Sequence, residues 1–260
     1  MRVIRIRAIL SWGLVAACLF LCHCSARAPI PVSVENDAAR ARAESMLASV
    51  LAVNANLEST KGIGRVKLQL DGQLDIFRAA WIGKQPDRLL LTVLSPTMQP
   101  VSSFSCDGER IYLLSYYDNK LHSWRATENG FKRIVGIDIT VGDLLDLISG
   151  RLPVRETESV RLVESADSGP LLVLDGKGKT CIETISLDTD RTTVREFERR
   201  ERGGKLLFRV LFEKLKETDG FRLPESLTVQ DDNGNMIHIA IERTWVNPEL
   251  TDDQFVLKAS

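Results

Sequence analysis

The sequence predicts a mainly β domain of about 11 antiparallel strands, with an N-terminal helix and one apolar helix inserted between strands. Three observations support this fold class. Many short segments alternate apolar with polar residues, dipeptides typical of tight turns separate them (Asp71-Gly72 and Asn233-Gly234 among others), and only two stretches have helical spacing. Strands joined by such short turns are antiparallel, because a parallel pair needs a crossover of a dozen or more residues.

The first helical stretch covers residues 38–57. Its apolar side chains at helical spacing are Ala43, Met46, Leu47, Val50, Val53 and Leu57. The second stretch covers residues 139–150, where Thr140 and Asp143 have the spacing of a capping box and Gly150 is typical of a helix end. This second helix is short and very apolar, and it interrupts an otherwise β pattern.

Residues 1–24 have the features of a secretory leader and lipid-anchor region. A basic start precedes a short apolar run, which falls short of the roughly 20 residues that a membrane-spanning helix needs. Residues 15–18 (VAAC) resemble the lipobox of bacterial lipoproteins, so Cys18 is the predicted site of acylation. Cys24 is the alternative site, because the polar chain begins directly after it, and an ordinary cleaved signal peptide is the alternative to lipidation.

The rest of the chain divides into a tether and one domain. Residues 25–35 are rich in small residues and proline, which predicts a flexible tether. Residues 36–260 are long for an average domain but ordinary for a single β-barrel or sandwich. The 34 basic and 35 acidic residues give a net charge of −1, so no bulk attraction to nucleic acid is expected. Cys106 and Cys181 lie in strand-like segments, where they either pair or remain buried free thiols.

Two stretches resemble functional loops, and both are incomplete. Residues 178–180 (GKT) end like a phosphate-binding loop, but Val173 stands where the first glycine is required. Residues 231–235 (DDNGN) resemble a calcium loop, but Met236 stands where that loop needs glycine. A hairpin turn explains each stretch better than a binding loop does.

Other signs of chemistry are also missing. His122 and His238 each lie alone on a predicted strand, whereas a metal site needs several ligands at defined spacing. No Gly-x-Ser-x-Gly nucleophile elbow is present, and the alternating charges of residues 195–202 predict a solvated strand face. The sequence therefore predicts no enzyme, no metal and no cofactor. The competing hypothesis is an envelope hydrolase whose carboxylates or histidine converge only in the folded chain.

Three stretches resemble segments of the LolA/LolB superfamily of outer-membrane lipoprotein localisation proteins. They are a strand that ends in a proline-led loop at residues 88–96 (RLLLTVLSP), a helix that ends in glycine and proline at residues 144–153 (LLDLISGRLP), and a C-terminal signature at residues 246–255 (VNPELTDDQF). The resemblance spans most of the mature chain and fits a divergent branch. It implies an antiparallel half-open β-barrel, with helices over its open side, around an apolar cavity for lipoprotein acyl chains.

The resemblance also implies a location and partners. Leu19 follows Cys18, so no aspartate is present there to retain the protein at the inner membrane, and a lipid anchor in the outer membrane facing the periplasm is expected. The expected ligands are lipid acyl chains or lipoproteins, with a periplasmic carrier protein as the delivering partner and no nucleic acid. The alternative is an anchored, non-enzymatic interaction or sensor module in envelope assembly.

Candidate binding residues follow from the strand alternation together with the superfamily's cavity. The positions expected to line the cavity are Leu68, Leu70, Trp81, Leu89, Leu91, Phe104, Leu113, Trp124, Phe208, Val210 and Ile239. For each of them, ordinary core packing is the alternative. The expected lid is the inserted helix, with the apolar residues Val141, Leu144, Leu145 and Ile148. Met98 is the large apolar residue expected to be exposed in the loop after the proline-led strand.

Overall fold

The computed structural model of the chain describes residues 37–127, 130–164 and 169–259. The predicted leader, with Cys18 and Cys24, and the predicted tether lie outside the described residues. The described residues belong to one compact unit, Glu35–Ser260. None of the helices in this part of the chain is long and apolar enough to span a membrane.

One antiparallel sheet of 13 strands dominates the described residues, rather than the predicted figure of about 11. The strands are β1 (Ser59–Leu70), β2 (Gln73–Lys84), β3 (Arg88–Leu94), β4 (Pro100–Cys106), β5 (Arg110–Ser115), β6 (Lys120–Arg125), β7 (Thr157–Val163), β8 (Leu171–Gly176), β9 (Cys181–Leu187), β10 (Val194–Glu201), β11 (Leu206–Thr218), β12 (Phe221–Gln230) and β13 (Met236–Val246). Their order in space is β6-β5-β4-β3-β2-β1-β13-β12-β11-β10-β9-β8-β7. The sheet is open, with β6 and β7 at its edges, which confirms the predicted mainly β, half-open architecture.

Local sequence explains where the strands turn. Asp71 and Gly72, between β1 and β2, have φ angles of 50° and 81°, as a two-residue hairpin turn requires. Between β12 and β13, Gly234 has a φ angle of 85°, and the Asp231 carboxylate accepts hydrogen bonds from backbone N–H groups of the same turn. The calcium-like residues 231–235 therefore form a hairpin turn, as the missing glycine indicated.

The N-terminal helix, α1 (Asp37–Leu51), packs against β7. It ends before the predicted end at Leu57 because the chain turns at Asn54, whose φ angle is 55°. The Asn54 side-chain amide donates hydrogen bonds to the carbonyl oxygens of Ser149 (2.9 Å) and Arg222 (2.7 Å). This turn therefore fixes the end of α1 to the connection after the inserted helix and to β12.

Two short helices, α2 (Lys132–Val135) and α3 (Val141–Ile148), lie in the connection between the edge strands β6 and β7. The helix α3 is the predicted inserted helix, and it begins with the predicted capping box. The Thr140 hydroxyl accepts from the Asp143 N–H, and the Asp143 carboxylate accepts from the Thr140 N–H, both at 3.0 Å. Because α3 contacts both β3 and β12, it lies across the concave side of the sheet.

Both cysteines of the described residues are buried free thiols, Cys106 at the end of β4 and Cys181 at the start of β9. Strand β4 is the third strand from one edge of the sheet, and β9 is the third from the other. The two cysteines therefore do not form a disulfide with each other. Burial raises the pKa of the Cys106 thiol, which keeps it protonated and unreactive near neutral pH.

The C-terminal segment covers the outer face of β3 and β4. A short 3-10 turn, Asp252–Phe255, contacts β3, and Phe255 is fully buried. The Ser105 hydroxyl on β4 donates a hydrogen bond to the Phe255 carbonyl oxygen at 2.7 Å. The outer face of the sheet is therefore covered here, which explains why the outward-facing Ser105 of β4 is buried.

Candidate ligand-binding site

An apolar cavity of about 240 Å³ lies between the concave face of the sheet and the short helix α2. Its walls come from β1 to β5 and β13. The lining residues are Val66, Leu68, Phe77, Leu89, Leu91, Val93, Ser102, Phe104, Leu113, Phe131, Ile134, Val135, Leu144, Ile237 and Ile239. Ser102 is the single polar residue among them, so the cavity offers dispersion contacts and almost no hydrogen-bonding groups.

The cavity lies toward one end of the sheet. Leu68, Val93, Ser102, Leu113 and Ile237 line it, and each of them is within two residues of the end of its strand. Those strand ends carry the turns β1–β2, β3–β4, β5–β6 and β12–β13, which all lie at the same end because neighbouring strands are antiparallel. We call this end of the sheet the turn end.

The helix α2 covers the cavity. Phe131, Ile134 and Val135 contribute to the lining, and the Phe131 ring packs against Phe104 with their centroids 5.1 Å apart. The helix stops at Gly136, whose φ angle of 74° is typical of a glycine helix cap. Four residues are too few for a periodic pattern, which explains why the sequence did not predict α2.

Six of the residues proposed from the sequence lie in the cavity wall. They are Leu68, Leu89, Leu91, Phe104, Leu113 and Ile239. All six sit on β1, β3, β4, β5 or β13, where alternation along the strand gives the inward face correctly. Their contact with a ligand stays a prediction.

Three other proposed residues pack elsewhere because small residues leave space for them. Leu70 lies against Gly136, where any side chain would collide with it. The Trp81 ring lies over Gly62 on the neighbouring strand β1, which fills the space beside it. Trp124, on the edge strand β6, has its indole nitrogen close to Gly130.

Phe208 and Val210, also proposed, are fully buried in the other half of the core on β11. There the Phe208 ring packs against Phe197, with centroids 5.9 Å apart, and the Arg199 guanidinium lies 4.9 Å from the Phe208 ring centroid. Around Phe208 the concave side is therefore filled by the protein's own side chains. Alternation predicts which side chains of a strand point to the concave face of the sheet. It does not predict which part of that face borders an empty cavity.

No protein-family model and no curated protein matches the sequence. Solved structures do resemble it. A LolA superfamily protein from Nitrosomonas europaea has 14% identity and a TM-score of 0.56, over 83% of this chain and 97% of that chain. An outer membrane lipoprotein-sorting protein domain from Vibrio parahaemolyticus has 12% identity and a TM-score of 0.52, over 84% and 96%. This chain has the LolA-superfamily fold.

A DUF1329 family protein from Desulfovibrio piger is also similar in structure to this chain, with 11% identity and a TM-score of 0.57 over 84% of this chain and 96% of that chain. At such identities the likeness establishes the fold and assigns no ligand. The sequence resemblance on residues 88–96, 144–153 and 246–255 therefore pointed to the correct fold. The cavity of this LolA-type sheet has to be interpreted from its own residues.

A buried ion cluster anchors α3 within the LolA-type sheet. Arg199 on β10 donates hydrogen bonds to the carboxylates of Glu183 (2.7 Å) and Asp143 (3.1 Å) and to the Pro153 carbonyl oxygen. All three charged side chains are buried. Burial by itself would lower the pKa of Arg199, but the two carboxylates outweigh it and hold that pKa above its usual range.

The cluster corrects the prediction that residues 195–202 form a solvated face. Arg199 points into the core, and Glu198 is buried on the opposite face, where its carboxylate accepts a hydrogen bond from Arg209 at 2.5 Å. Alternating charge looks the same in sequence whether water or an opposite charge from another strand satisfies it. The partners of Arg199 are 16 and 56 residues away, so no local signal identifies them.

The helix α3 is therefore a fixed core element more than a lid. Leu144 alone among its proposed lid residues lines the cavity. Val141 faces a separate, more polar pocket of about 370 Å³, Leu145 packs beside Gly83 on β2, and Ile148 is buried. Also on α3, burial raises the pKa of Asp146, and nearby Arg151 opposes that shift only in part.

The turn end carries large apolar side chains on its surface. We call this set the apolar rim; it consists of Leu74, Ile76, Met98, Val101, Tyr116 and Tyr117, all of them exposed. Tyr117 is 97% exposed, and Met98 is 42% exposed with a φ angle of 64°. A hydrogen-bonded turn holds Met98 in place, since its N–H donates to the Ser95 carbonyl oxygen at 2.9 Å. Met98 is thus exposed, as its place in the loop predicted.

The remaining sequence motifs have structural roles. Gly178, from the GKT stretch, lies in a turn with a φ angle of 67°, and its N–H donates to the Glu158 carboxylate. His238 Nδ1 is 3.0 Å from the Thr228 hydroxyl, and His122 is exposed on β6. Within residues 37–127, 130–164 and 169–259, no three His, Cys, Asp or Glu side chains are grouped as metal ligands would be.

Proposed function

We propose that this protein is a non-enzymatic lipoprotein, anchored in the outer membrane through Cys18 or else Cys24, that binds acyl chains in its apolar cavity. In this role it serves as a receptor or carrier for lipoproteins or lipids in the bacterial envelope. The observation that carries the proposal is the cavity itself, because 14 of its 15 lining residues are apolar and it lies at the turn end beside the apolar rim. Such a lining is complementary to a hydrocarbon chain.

The energetics suit reversible transfer. Burying a methylene group contributes about 0.8 kcal/mol, so a chain of fourteen carbons gains roughly 10 kcal/mol. The chain gains a similar amount in a membrane, so moving it between membrane and protein is nearly neutral and needs no chemical step. At about 240 Å³, the cavity is smaller than ligand pockets of roughly 300–1,000 Å³. A full chain therefore requires α2 to move away from the sheet.

The structural neighbours support the class of function. Two of them are a LolA superfamily protein and an outer membrane lipoprotein-sorting protein domain. Neither description names an enzyme, and the residues that line the cavity contain no nucleophile with an adjacent base. A periplasmic carrier protein would deliver the acylated cargo to this protein.

The test uses residues 35–260, the compact unit that contains the whole described core. We expect the purified fragment to carry lipid that mass spectrometry detects, and after delipidation to bind a fluorescent fatty acid at one saturable site. The control ligand is the same fluorophore without its acyl chain, which should not bind. A fragment that is free of lipid and also fails to bind the fluorescent fatty acid would contradict the proposal.

We also propose that the apolar rim contacts the membrane when acyl chains are transferred. Met98 is the central candidate, because its turn holds it exposed next to the strand ends that line the cavity. Inserting a methionine side chain into the acyl region contributes about 1.5–3 kcal/mol, and an aspartate there is unfavourable. Tyr116 and Tyr117 suit the interface, where a ring and a hydroxyl are both accommodated.

Met98→Asp should reduce binding of the unlipidated fragment to phospholipid vesicles by about tenfold or more, since the methionine's contribution is lost. Vesicle co-sedimentation measures this. Leu51→Asp is the matched control, because Leu51 is equally exposed at 42% but lies at the end of α1, outside the rim. Equal losses in the two variants, or no loss in either, would remove Met98 from the membrane contact.

A further inference from the structure

The outer face of the central strands β1, β2 and β13 carries a cluster of positive charge. Val66, Leu68 and Phe77 line the cavity, so the residues that alternate with them point to the opposite, outer face of the sheet. Lys84, also on β2, forms an ion pair with Asp252 and is left out of the cluster. We call the remaining exposed cations of these strands the basic face; they are Lys61, Arg65, Lys67, Arg78 and Arg243.

Strand pairing brings these cations together. Arg78 on β2 is directly opposite Arg65 on β1. Trp245 on β13 is directly opposite Lys61, and its ring centroid is 5.4 Å from both the Lys61 ammonium and the Arg243 guanidinium. The Trp245 ring is itself 40% exposed. The cations therefore form one continuous surface across three neighbouring strands, with an aromatic ring at one end.

Carboxylates compensate little of this charge. The three strands contain two of them, Asp75 and Glu242. Asp75 is directly opposite Leu68 and so lies on the cavity side, whereas Glu242 accepts a hydrogen bond from Arg78 on the outer face. In the part of the chain that the structure describes, no carboxylate forms an ion pair with the other four cations. The outer face of these strands is therefore strongly positive, although the whole chain has a net charge of −1.

The basic face adjoins the apolar rim. Lys67 is directly opposite Ile76, a rim residue that is 58% exposed. The Arg78 guanidinium nitrogen Nη1 is 3.4 Å from the sulfur atom of Met98, which is the rim residue on the turn after β3. Exposed apolar groups and uncompensated cations thus meet on one side of the sheet. Proteins that lie on anionic membranes have this combination on their surface.

The combination indicates one kind of partner. An acidic polypeptide would satisfy the cations, but its charged side chains offer little to Ile76 and Met98. A neutral bilayer would accept those apolar side chains and leave the cations without counter-charge. A bilayer that contains anionic phospholipid supplies both, because its headgroups attract lysine and arginine and its acyl region accepts the rim.

We propose that the basic face binds the headgroups of anionic phospholipids when the apolar rim contacts the membrane. This inference rests on the proposed function, to which it adds the class of lipid and the orientation of the sheet. Lys61 and Lys67 are six residues apart on β1, or about 20 Å, whereas the Debye length at physiological salt is about 8 Å. Lys61 therefore contributes when the outer face lies along the membrane, and not when the turn end alone meets it.

Co-sedimentation of residues 35–260 with two kinds of vesicle tests the site. One kind is pure phosphatidylcholine, and the other contains roughly one third phosphatidylglycerol. We expect binding to the anionic vesicles to be at least about tenfold tighter, and salt near 1 M, where the Debye length is about 3 Å, should abolish the difference. Equal binding to both kinds of vesicle would overturn the proposal. Tighter binding to soluble polyglutamate than to the anionic vesicles would also overturn it, in favour of an acidic protein partner.

A double variant locates the contact. Lys61→Glu with Arg65→Glu should weaken binding to the anionic vesicles by about 25-fold, since each basic residue near such a surface contributes about fivefold. Both residues are exposed and neither is directly opposite a rim residue, so the fold and the binding to phosphatidylcholine should be retained. The matched control is Arg125→Glu with Arg195→Glu, which changes the net charge equally from exposed positions on β6 and β10. Equal losses in the two double variants would contradict a specific basic face.

The measurements separate this inference from the proposed function. Binding of the fluorescent fatty acid reports on the cavity, so its absence with the anionic preference retained would contradict only acyl binding. If Met98→Asp loses binding to phosphatidylcholine while Lys61→Glu with Arg65→Glu keeps the anionic preference, the rim contacts the membrane and the basic face does not. That second result would overturn the inference and leave the proposed function intact.

Discussion

Replacing Leu113 by tryptophan should weaken binding of a fluorescent fatty acid by about thirtyfold. Leu113 lies on β5, lines the cavity and is within two residues of the turn end. The indole occupies space that two or three methylene groups of the ligand would use, and each of these contributes about 0.8 kcal/mol. Because Leu113 is only half-buried, the larger ring has room to adjust, and the fold should be retained.

The matched control is Leu162→Trp. Leu162 is a half-buried leucine of β7 that packs against the core but does not line the cavity. The Leu162→Trp variant should therefore bind the fluorescent fatty acid with an affinity within about a factor of two of that of the parent protein. Circular dichroism should show that both variants are folded. If the two variants lose affinity equally, or if Leu113→Trp binds normally, the acyl chain does not occupy this cavity.

Arg199→Met should lower the free energy of unfolding by about 3–5 kcal/mol. The methionine fills part of the space, but it leaves the carboxylates of Asp143 and Glu183 buried beside an apolar side chain. Removing one partner of a buried ion cluster costs more than the pair itself contributes, because Glu183 then stays buried without its counter-charge and Asp143 keeps only Arg155, at 3.7 Å. Because Asp143 lies in the first turn of α3, we expect the loss to include the anchoring of that helix.

Urea unfolding followed by tryptophan fluorescence measures this loss. Arg195→Met is the control, because Arg195 is exposed on the same strand, and its replacement should change stability by no more than about 0.5 kcal/mol. The triple variant Arg199→Met, Asp143→Asn, Glu183→Gln should recover at least half of the loss, since it removes the uncompensated charges. A loss below about 1 kcal/mol for Arg199→Met would mean that water reaches the carboxylates in solution.

The cavity could be predicted from the sequence only in part, and the displaced residues show why. Leu113 and Phe208 have the same pattern, an apolar residue at an inward position of a strand. Phe208 nevertheless lies where Phe197 and Arg199 fill the concave side. Leu113, in contrast, lines the cavity that remains between the sheet and the short helix α2. Alternation assigns a side chain to a face, but the volume beyond that face depends on distant elements.

Local sequence patterns suffice to predict the secondary-structure elements: the strands from alternation, the hairpins from Asp71-Gly72 and Asn233-Gly234, and α3 from its capping box. These signals act over a few residues, where φ preferences and nearby hydrogen bonds decide the conformation. Tertiary structure alone decided which half of the concave side stays empty, that Arg199 is buried against Asp143 and Glu183, and that β6 remains an exposed edge. The physical reason is that burial, counter-charge and strand pairing are supplied by residues far away in the chain, whose positions only the folded sheet fixes.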